Sequence, residues 1–169
     1  MTIRLAVTED IRGIMELIRE VVPLMRASGN FQWDDTYPNP EVFGDDIAAG
    51  QLWVAEIDGQ IAGVTAITTE QYEEYALAGM DITQAAIVTH RLAVNINFRG
   101  RGIAEALLKQ AEVVAKARAI SIMRVDTNSN NKATRKLFPK MGYEFMGEMP
   151  LKFRPNLRFY CYEKVLVGE

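Results

Sequence analysis

His90-Arg91-Leu92-Ala93-Val94-Asn95-Ile96-Asn97-Phe98-Arg99-Gly100-Arg101-Gly102-Ile103-Ala104 is the stretch whose reading decides the fold. Leu92, Val94, Ile96 and Phe98 alternate with polar or small residues, the period of a half-buried strand. From Ile103 to Arg118 the period changes. Ile103, Leu107, Ala111, Val114 and Arg118 recur at helical spacing, giving one apolar face. Between strand and helix lie Arg99, Gly100, Arg101 and Gly102. Glycine lets backbone approach a ligand, and the first helical turn has amides with no internal acceptor. With the positive end of the helix dipole, such a turn is a phosphate site. The stretch therefore reads as a loop that holds a pyrophosphate.

Two rival phosphate motifs fail on the residues. Gly-x-x-x-x-Gly-Lys-Ser/Thr does not occur, and a dinucleotide fingerprint starting at Gly100 and Gly102 would need glycine where Glu105 stands.

The whole chain sets limits on the rest. Its 169 residues suit one domain, 1–169, with a proper core. A net charge of −3 argues against nucleic acid as a partner, since phosphate backbones demand a basic surface. Cys161 and His90 are the sole cysteine and histidine, so neither an internal disulfide nor a zinc centre is expected, and no metal is assigned. Met1-Thr2-Ile3-Arg4 opens no secretory apolar segment, and no apolar run nears the roughly 18 residues of a membrane span. No membrane partner and a cytoplasmic location are the expectation.

Upstream, Ile3, Leu5 and Val7 mark a first strand, and Thr8 with Glu9 and Asp10 opens a helix bearing Ile11, Ile14, Ile18 and Val22. Pro23 lies inside that helix and Ser28-Gly29-Asn30 ends it. Asn39-Pro40 starts a short second helix that Gly50 closes. Leu52 to Ile57 and Ile61 to Thr68 form a hairpin turning at Asp58-Gly59. Glu70 to Gln84 has no clean period and reads as an excursion, and long loops of this kind often carry function. Ala85 to Val94 is the fourth strand.

Downstream of the loop and helix, Ile120 to Thr127 is a strand, and Asn128-Ser129-Asn130-Asn131 caps a helix from Lys132 to Lys140. Tyr143 to Met149 is a strand, Pro150 to Pro155 a loop, and Arg158 to Val165 the last strand. Hairpins mixed with crossovers predict an α/β domain with a central mixed, mostly antiparallel sheet of about seven strands and about four helices.

Two motifs resemble those of the GNAT superfamily of acetyl-coenzyme A-dependent N-acetyltransferases. Arg99-Gly100-Arg101-Gly102-Ile103-Ala104 is similar to the family's Gln/Arg-x-x-Gly-x-Gly/Ala loop, following a strand that ends Leu92-Ala93-Val94. Asn131 through Tyr143 is similar to the second motif, an Asn and a helix ending Leu-Tyr/Phe-x-Lys-x-Gly-Phe/Tyr. The order of elements matches along nearly the whole chain.

The resemblance implies acetyl-CoA as co-substrate and a primary amine of a small molecule or peptide as acceptor, attacked directly in a ternary complex. It implies that Arg99, Gly100, Arg101, Gly102, Ile103 and Ala104 bind the pyrophosphate. It implies further that the pantetheine arm lies between the fourth and fifth strands, against main-chain groups of Leu92, Ala93 and Val94. Asn131 would bond the pantetheine amide, or serve simply as a helix cap. Phe138 stands where many members carry a tyrosine that protonates the departing thiolate. Tyr143, Tyr160 and Tyr162 are the tyrosines that could replace it.

At neutral pH an amine with pKa near 10.4 is charged in all but roughly a few molecules in ten thousand, so a base would help. His90, two residues before Leu92, occupies the place of a catalytic histidine in aralkylamine-type members, while the glutamate of some histone-type members falls at Val88. A histidine on a strand can equally be a hydrogen-bonded structural residue. Trp33, Tyr37, Tyr72 and Tyr75, among neighbouring carboxylates, are the residues expected at the acceptor, where aromatic faces favour a cation. Dimers are common in the family, so a homodimer is expected. The alternative to an enzyme is an acyl-CoA-binding sensor that has lost catalysis, since the usual tyrosine and glutamate are both replaced.

Overall fold

The computed structural model describes residues 1–167. Seven strands form one sheet: β1 (Thr2–Leu5), β2 (Leu52–Ile57), β3 (Gln60–Thr68), β4 (Ile87–Val94), β5 (Ile122–Asn128), β6 (Glu144–Leu151) and β7 (Arg154–Val165). Their spatial order is β1-β2-β3-β4-β5-β7-β6. Every pairing is antiparallel except β4 with β5, the product of the crossover through the main helix. The helices are α1 (Ile11–Ala27), α2 (Pro40–Ala48), α3 (Ile103–Ala117) and α4 (Lys132–Lys140), with short 3-10 turns at Thr8–Asp10, Glu73–Ala78 and Ile96–Phe98.

Local chemistry explains most boundaries. The Asn39 side chain accepts the Val42 amide at 2.9 Å, with Pro40 in the first turn. Asp58 and Gly59 both take positive φ (50° and 75°), the geometry of a two-residue turn whose twist matches its strands. Thr8 does not cap α1; it opens the 3-10 turn, and Asp10 instead accepts the Val7 amide at 2.8 Å while bonding Arg4. The Pro150 to Pro155 loop is also corrected. β6 continues to Leu151 and β7 begins at Arg154, leaving a two-residue turn at Lys152-Phe153. Prolines fit because β6 is an edge strand, and β5 pairs with β7 only as far as Phe159.

Each sheet face is covered. On one, Ile14, Leu17, Ile18, Val21 and Val22 of α1 pack on Val54, Val64, Ala66 and Ala93. On the same face the Glu70–Gln84 excursion lays Tyr75, Ala78 and Met80 over Val88, Met149, Phe159 and Cys161. On the other, α3 packs Ile103 and Leu107 on Ala55 and Ala62, and Leu108 and Ala111 on Ile67, Ile87 and Met123.

The excursion is pinned twice. Arg124, 1% exposed, donates to the Asp81 carbonyl at 2.9 Å and to Glu163 at 2.8 Å. Gly147 of β6 lies so close to the 3-10 turn that an added Cβ would sit 2.8 Å from the Ala78 carbonyl oxygen and 3.0 Å from its Cα. Backbone cannot move aside as a side chain can. Gly147→Ala should therefore cost about 1–3 kcal/mol, the usual range for overpacking. By calorimetry, the melting temperature should fall by roughly 2–12 °C. An unchanged melting temperature would show that the turn is not held against β6.

Candidate active site

β4 and β5 are joined by two rungs only, Ile87 with Met123 and Val88 with Arg124. Beyond them the strands part. β5 stays straight because β7 pairs with it along its length, from Ile122–Val165 to Asn128–Phe159. β4 bends because it carries a bulge: Val64 pairs with Ala93 and Ala66 with His90, so Thr65 faces both Arg91 and Leu92. Arg91 takes φ 54°, a left-handed conformation that an arginine adopts at a cost. Its guanidinium is held bidentately by Asp46 of α2 (Nε to Oδ2 2.8 Å, Nη2 to Oδ1 2.7 Å), and Asp46 is only 3% exposed.

The wedge between the strands opens into a cavity of about 860 Å³. At one end lies the loop before α3. Gly100 and Gly102 have φ of 76° and 74°, and no side chain caps α3. The first intrahelical bond runs from the Ala106 amide to the Gly102 carbonyl (3.0 Å), so the amides of Ile103, Ala104 and Glu105 have no acceptor within the helix. Arg99, Gly100, Gly102, Ile103 and Ala104 all line the cavity there, joined by Lys132 and Lys140 of α4. Arg101 does not reach it; its guanidinium lies 5.4 Å over the Phe98 ring.

Leu92, Ala93 and Val94 line the middle, as do Asn131 and Phe138. Asn131 caps α4, accepting the Thr134 amide at 3.2 Å. Phe138 packs against Tyr143 and Tyr162, and it has no proton to give. Tyr143, Tyr160 and Tyr162, the possible substitutes, are absent from the cavity wall among the described residues. Thr89, where the strands begin to part, has its hydroxyl buried without a protein partner. An orphaned hydroxyl in a cleft suits a polar ligand arm.

At the other end Trp33, Tyr37 and Tyr72 line the cavity, together with His90 and Phe153. Tyr75 does not. It is fully buried behind the wall, and its hydroxyl donates to Asp126 at 2.6 Å. Tyr72 is the centre of an aromatic group, with ring centroids 5.7 Å from Tyr75, 5.3 Å from His90 and 5.9 Å from Phe153. The carboxylates near Trp33 turn elsewhere: Asp34 accepts the Thr36 and Tyr37 amides and faces Arg154. Asp126, which the sequence reading passed over, is instead the carboxylate on this part of the wall. The sequence signal for it is a second charged residue, two after Arg124, in an interior strand whose other face buries Met123 and Val125.

His90 Nε2 lies 3.1 Å from the Glu70 carbonyl. A carbonyl can only accept, so Nε2 carries the proton and Nδ1 is free. Burial pulls the pKa down to about 4, so the ring is neutral at neutral pH. Among the described residues no three His, Cys, Asp or Glu side chains cluster as metal ligands, and no helix is long and apolar enough to cross a membrane. Cys161 is buried and its thiol pushed well up by burial, so it is not a ready nucleophile.

A split sheet with an uncapped helix start at the end of the split defines a class of α/β folds with an open cleft between two strands that ends in unpaired helix amides. The comparisons with known proteins place the chain within that class. A model of the acetyltransferase (GNAT) domain matches residues 48–145. A GNAT-family acetyltransferase structure from Streptococcus agalactiae is 30% identical and superposes with a TM-score of 0.84, covering 99% of this chain and 96% of that one. The uncharacterized N-acetyltransferase YesJ of Bacillus subtilis is 29% identical over 145 residues, 84% of this chain and 81% of that protein. The fold alone is shared with yncA of Salmonella typhimurium, an acetyltransferase structure with its cofactor acetyl-CoA, at 19% identity and a TM-score of 0.71 over 100% and 95% of the two chains. The chain belongs to the GNAT family of acetyltransferases, and its activity is that of an acyltransferase.

The lowered His90 pKa has a sign that can be checked. In the unfolded chain a histidine binds its proton near pH 6.5, while in the fold it does so only near 4. Between those values protons favour the unfolded state, so stability falls as pH drops from 6.5 toward 4. His90→Gln should lose less melting temperature than wild type between pH 7 and pH 5. Equal losses would show that His90 is not held neutral.

Proposed function

We propose that this protein is an acetyl-CoA-dependent N-acetyltransferase that acetylates a primary amine of a small molecule by direct attack in a ternary complex. The observation that carries the reading is the parting of β4 from β5 after two rungs, with an uncapped helix start at the end of the gap. Acetyl-CoA, when bound, supplies an activated acetyl thioester.

The chain's residues divide the remaining work. The amides of Ile103, Ala104 and Glu105, with Arg99 beside them, hold the pyrophosphate through several oriented donors. Gly100 and Gly102 give the loop the left-handed turns it needs. Leu92, Ala93 and Val94 act through their main chain, since Leu92 and Val94 also pack in the core beside α3. A backbone amide on this part of β4 would donate to the carbonyl oxygen where negative charge develops. Asn131 keeps its cap and faces the arm, and Thr89 offers its unpaired hydroxyl. His90, neutral on the wall, contacts the incoming amine.

With Phe138 at the usual tyrosine's place, the leaving thiolate is protonated by the amine's own departing proton or by solvent. A thiol pKa near 8.5 makes this tolerable. The same substitution is what favours the second reading, an acyl-CoA sensor without turnover. Release of coenzyme A with any member of an amine panel excludes that reading. The homodimer and the cytoplasmic location expected from the sequence go with the enzymatic reading.

Gly102→Val tests the loop. A β-branched residue at φ 74° is strained by about 1–3 kcal/mol, and its Cβ would meet Glu105 Oε2 at 3.2 Å. Acetyl-CoA affinity, by calorimetry, should fall at least about tenfold, as expected for a loss of roughly 1.4 kcal/mol. Undiminished affinity would contradict the assignment of the loop.

A further inference from the structure

Asp126 is the one carboxylate at the acceptor end of the cavity among the described residues; the other on the wall, Glu105, belongs to the loop end and lies 3.7 Å from Lys140. Its position follows from the register. Val88 and Arg124 form the last rung between β4 and β5, and His90 and Asp126 each lie two residues further on. Side chains alternate along a strand, so both project to the face covered by the excursion. Asp126 therefore reaches the cavity where the strands have already parted, close to Tyr72 and across the gap from His90.

Its surroundings are neutral. The titratable groups around it are Tyr72 and Tyr75 of the excursion, Cys161 opposite it on β7, and His90 on β4. Burial holds both phenols and the thiol well above their usual ranges, and holds the imidazole below its own, so none carries charge at neutral pH. The cations on the wall are elsewhere or occupied: Arg99, Lys132 and Lys140 lie at the loop end, and Arg91 is bound by Asp46. The rest of this end is dominated by Trp33, Tyr37, Tyr72 and Phe153, with Asn30 and Gln32 beside Trp33.

We infer that Asp126 anchors the acceptor's ammonium and takes its proton, and that the acceptor is a primary amine with an apolar or aromatic body and no carboxylate of its own. The inference rests on the acetyltransferase reading above. One N–H bond of the ammonium breaks as one O–H bond forms on the carboxylate, and the lone pair left on nitrogen becomes available for attack. The proton later returns to water. Aromatic faces around a single buried carboxylate suit one positive charge on an apolar body. An amino acid would bring a second, negative charge with no free cation to meet it, a costly burial.

Of the two candidates for the proton, the carboxyl is the stronger base. Burial raises its pKa to about 6 against the hydrogen bond from Tyr75, while that of His90 is near 4. Asp126 is thus ionised at neutral pH yet nearer an amine in proton affinity than an exposed carboxylate.

The test uses 2-phenylethylamine and phenylalanine as probes with wild type, Asp126→Asn and Tyr75→Phe, with acetyl-CoA affinity measured on each as a control for fold. In calorimetry with coenzyme A present, wild type should bind 2-phenylethylamine at least tenfold more tightly than phenylalanine, and Asp126→Asn should lose at least tenfold toward 2-phenylethylamine. Its kcat/KM should fall about 100-fold, in the range of general-base removal. The wild-type rate should decline below about pH 6, as the carboxyl protonates; the decline should vanish in Asp126→Asn and move to higher pH in Tyr75→Phe, which removes a bond favouring the ionised form. Phenylalanine bound as well as 2-phenylethylamine would overturn the substrate class. Asp126→Asn within threefold of wild type, or an acid decline that disappears with His90→Ala instead, would overturn the role of Asp126. Failure of wild type to bind acetyl-CoA would refute the acetyltransferase reading, while the amine-binding comparison would still decide Asp126.

Discussion

Two rungs of parallel pairing set the limits of everything else in this molecule. If β4 and β5 stayed paired beyond Val88 and Arg124, the sheet would be closed and there would be no cavity. Leaving backbone groups of an interior strand without a strand partner is costly. The fold bears that cost by making one strand rigid and bending the other. β7 keeps β5 straight, and the bulge at Arg91 turns β4 away. The Asp46–Arg91 pair holds the bulge from outside the sheet, linking α2 to the geometry of a gap it does not line. Removing Asp46 would leave a buried guanidinium unpaired, a loss of about 3–5 kcal/mol by analogy with other broken pairs.

The gap divides the cavity electrostatically. Its loop end carries helix amides and the cations Arg99, Lys132 and Lys140; its far end carries neutral aromatic groups, the Asp126 carboxylate and an Arg91 already paired with Asp46. An anionic carrier and a cationic acceptor would therefore enter opposite ends and meet along β4, where the main chain is free to donate. Little of this polarity shows in the net charge of −3, because it is a matter of placement rather than composition.

What could be read from the sequence was local. The cap at Asn39, the turn at Asp58-Gly59 and the loop at Arg99 to Ala104 each depend on a few consecutive residues whose backbone preferences agree. What could not be read was set by contacts distant in the chain. Arg91 meets Asp46 across 45 residues, and Tyr75 meets Asp126 across 51. Tyr75 looked like an acceptor residue because it neighbours Tyr72 in sequence. On a tight 3-10 turn, however, the two rings take different directions, one to the cavity and one to the core. The prolines at 150 and 155 suggested a loop because the edge position of β6 is a property of the whole sheet. The fold was thus largely legible, the backbone of the loop before α3 also, though not the turn of Arg101 away from the cavity, and the far wall only in part.

The central claim is that the gap between β4 and β5, together with the start of α3, is where acetyl-CoA binds. Amide hydrogen exchange measured with and without acetyl-CoA tests it most directly. Added acetyl-CoA should slow exchange at amides of Leu92 to Val94 and of Ile103 to Glu105, and leave the β6–β7 turn at Lys152-Phe153 unchanged. Protection absent from both segments, or confined to the separate groove lined by Arg4, Glu9 and Glu56, would contradict the account.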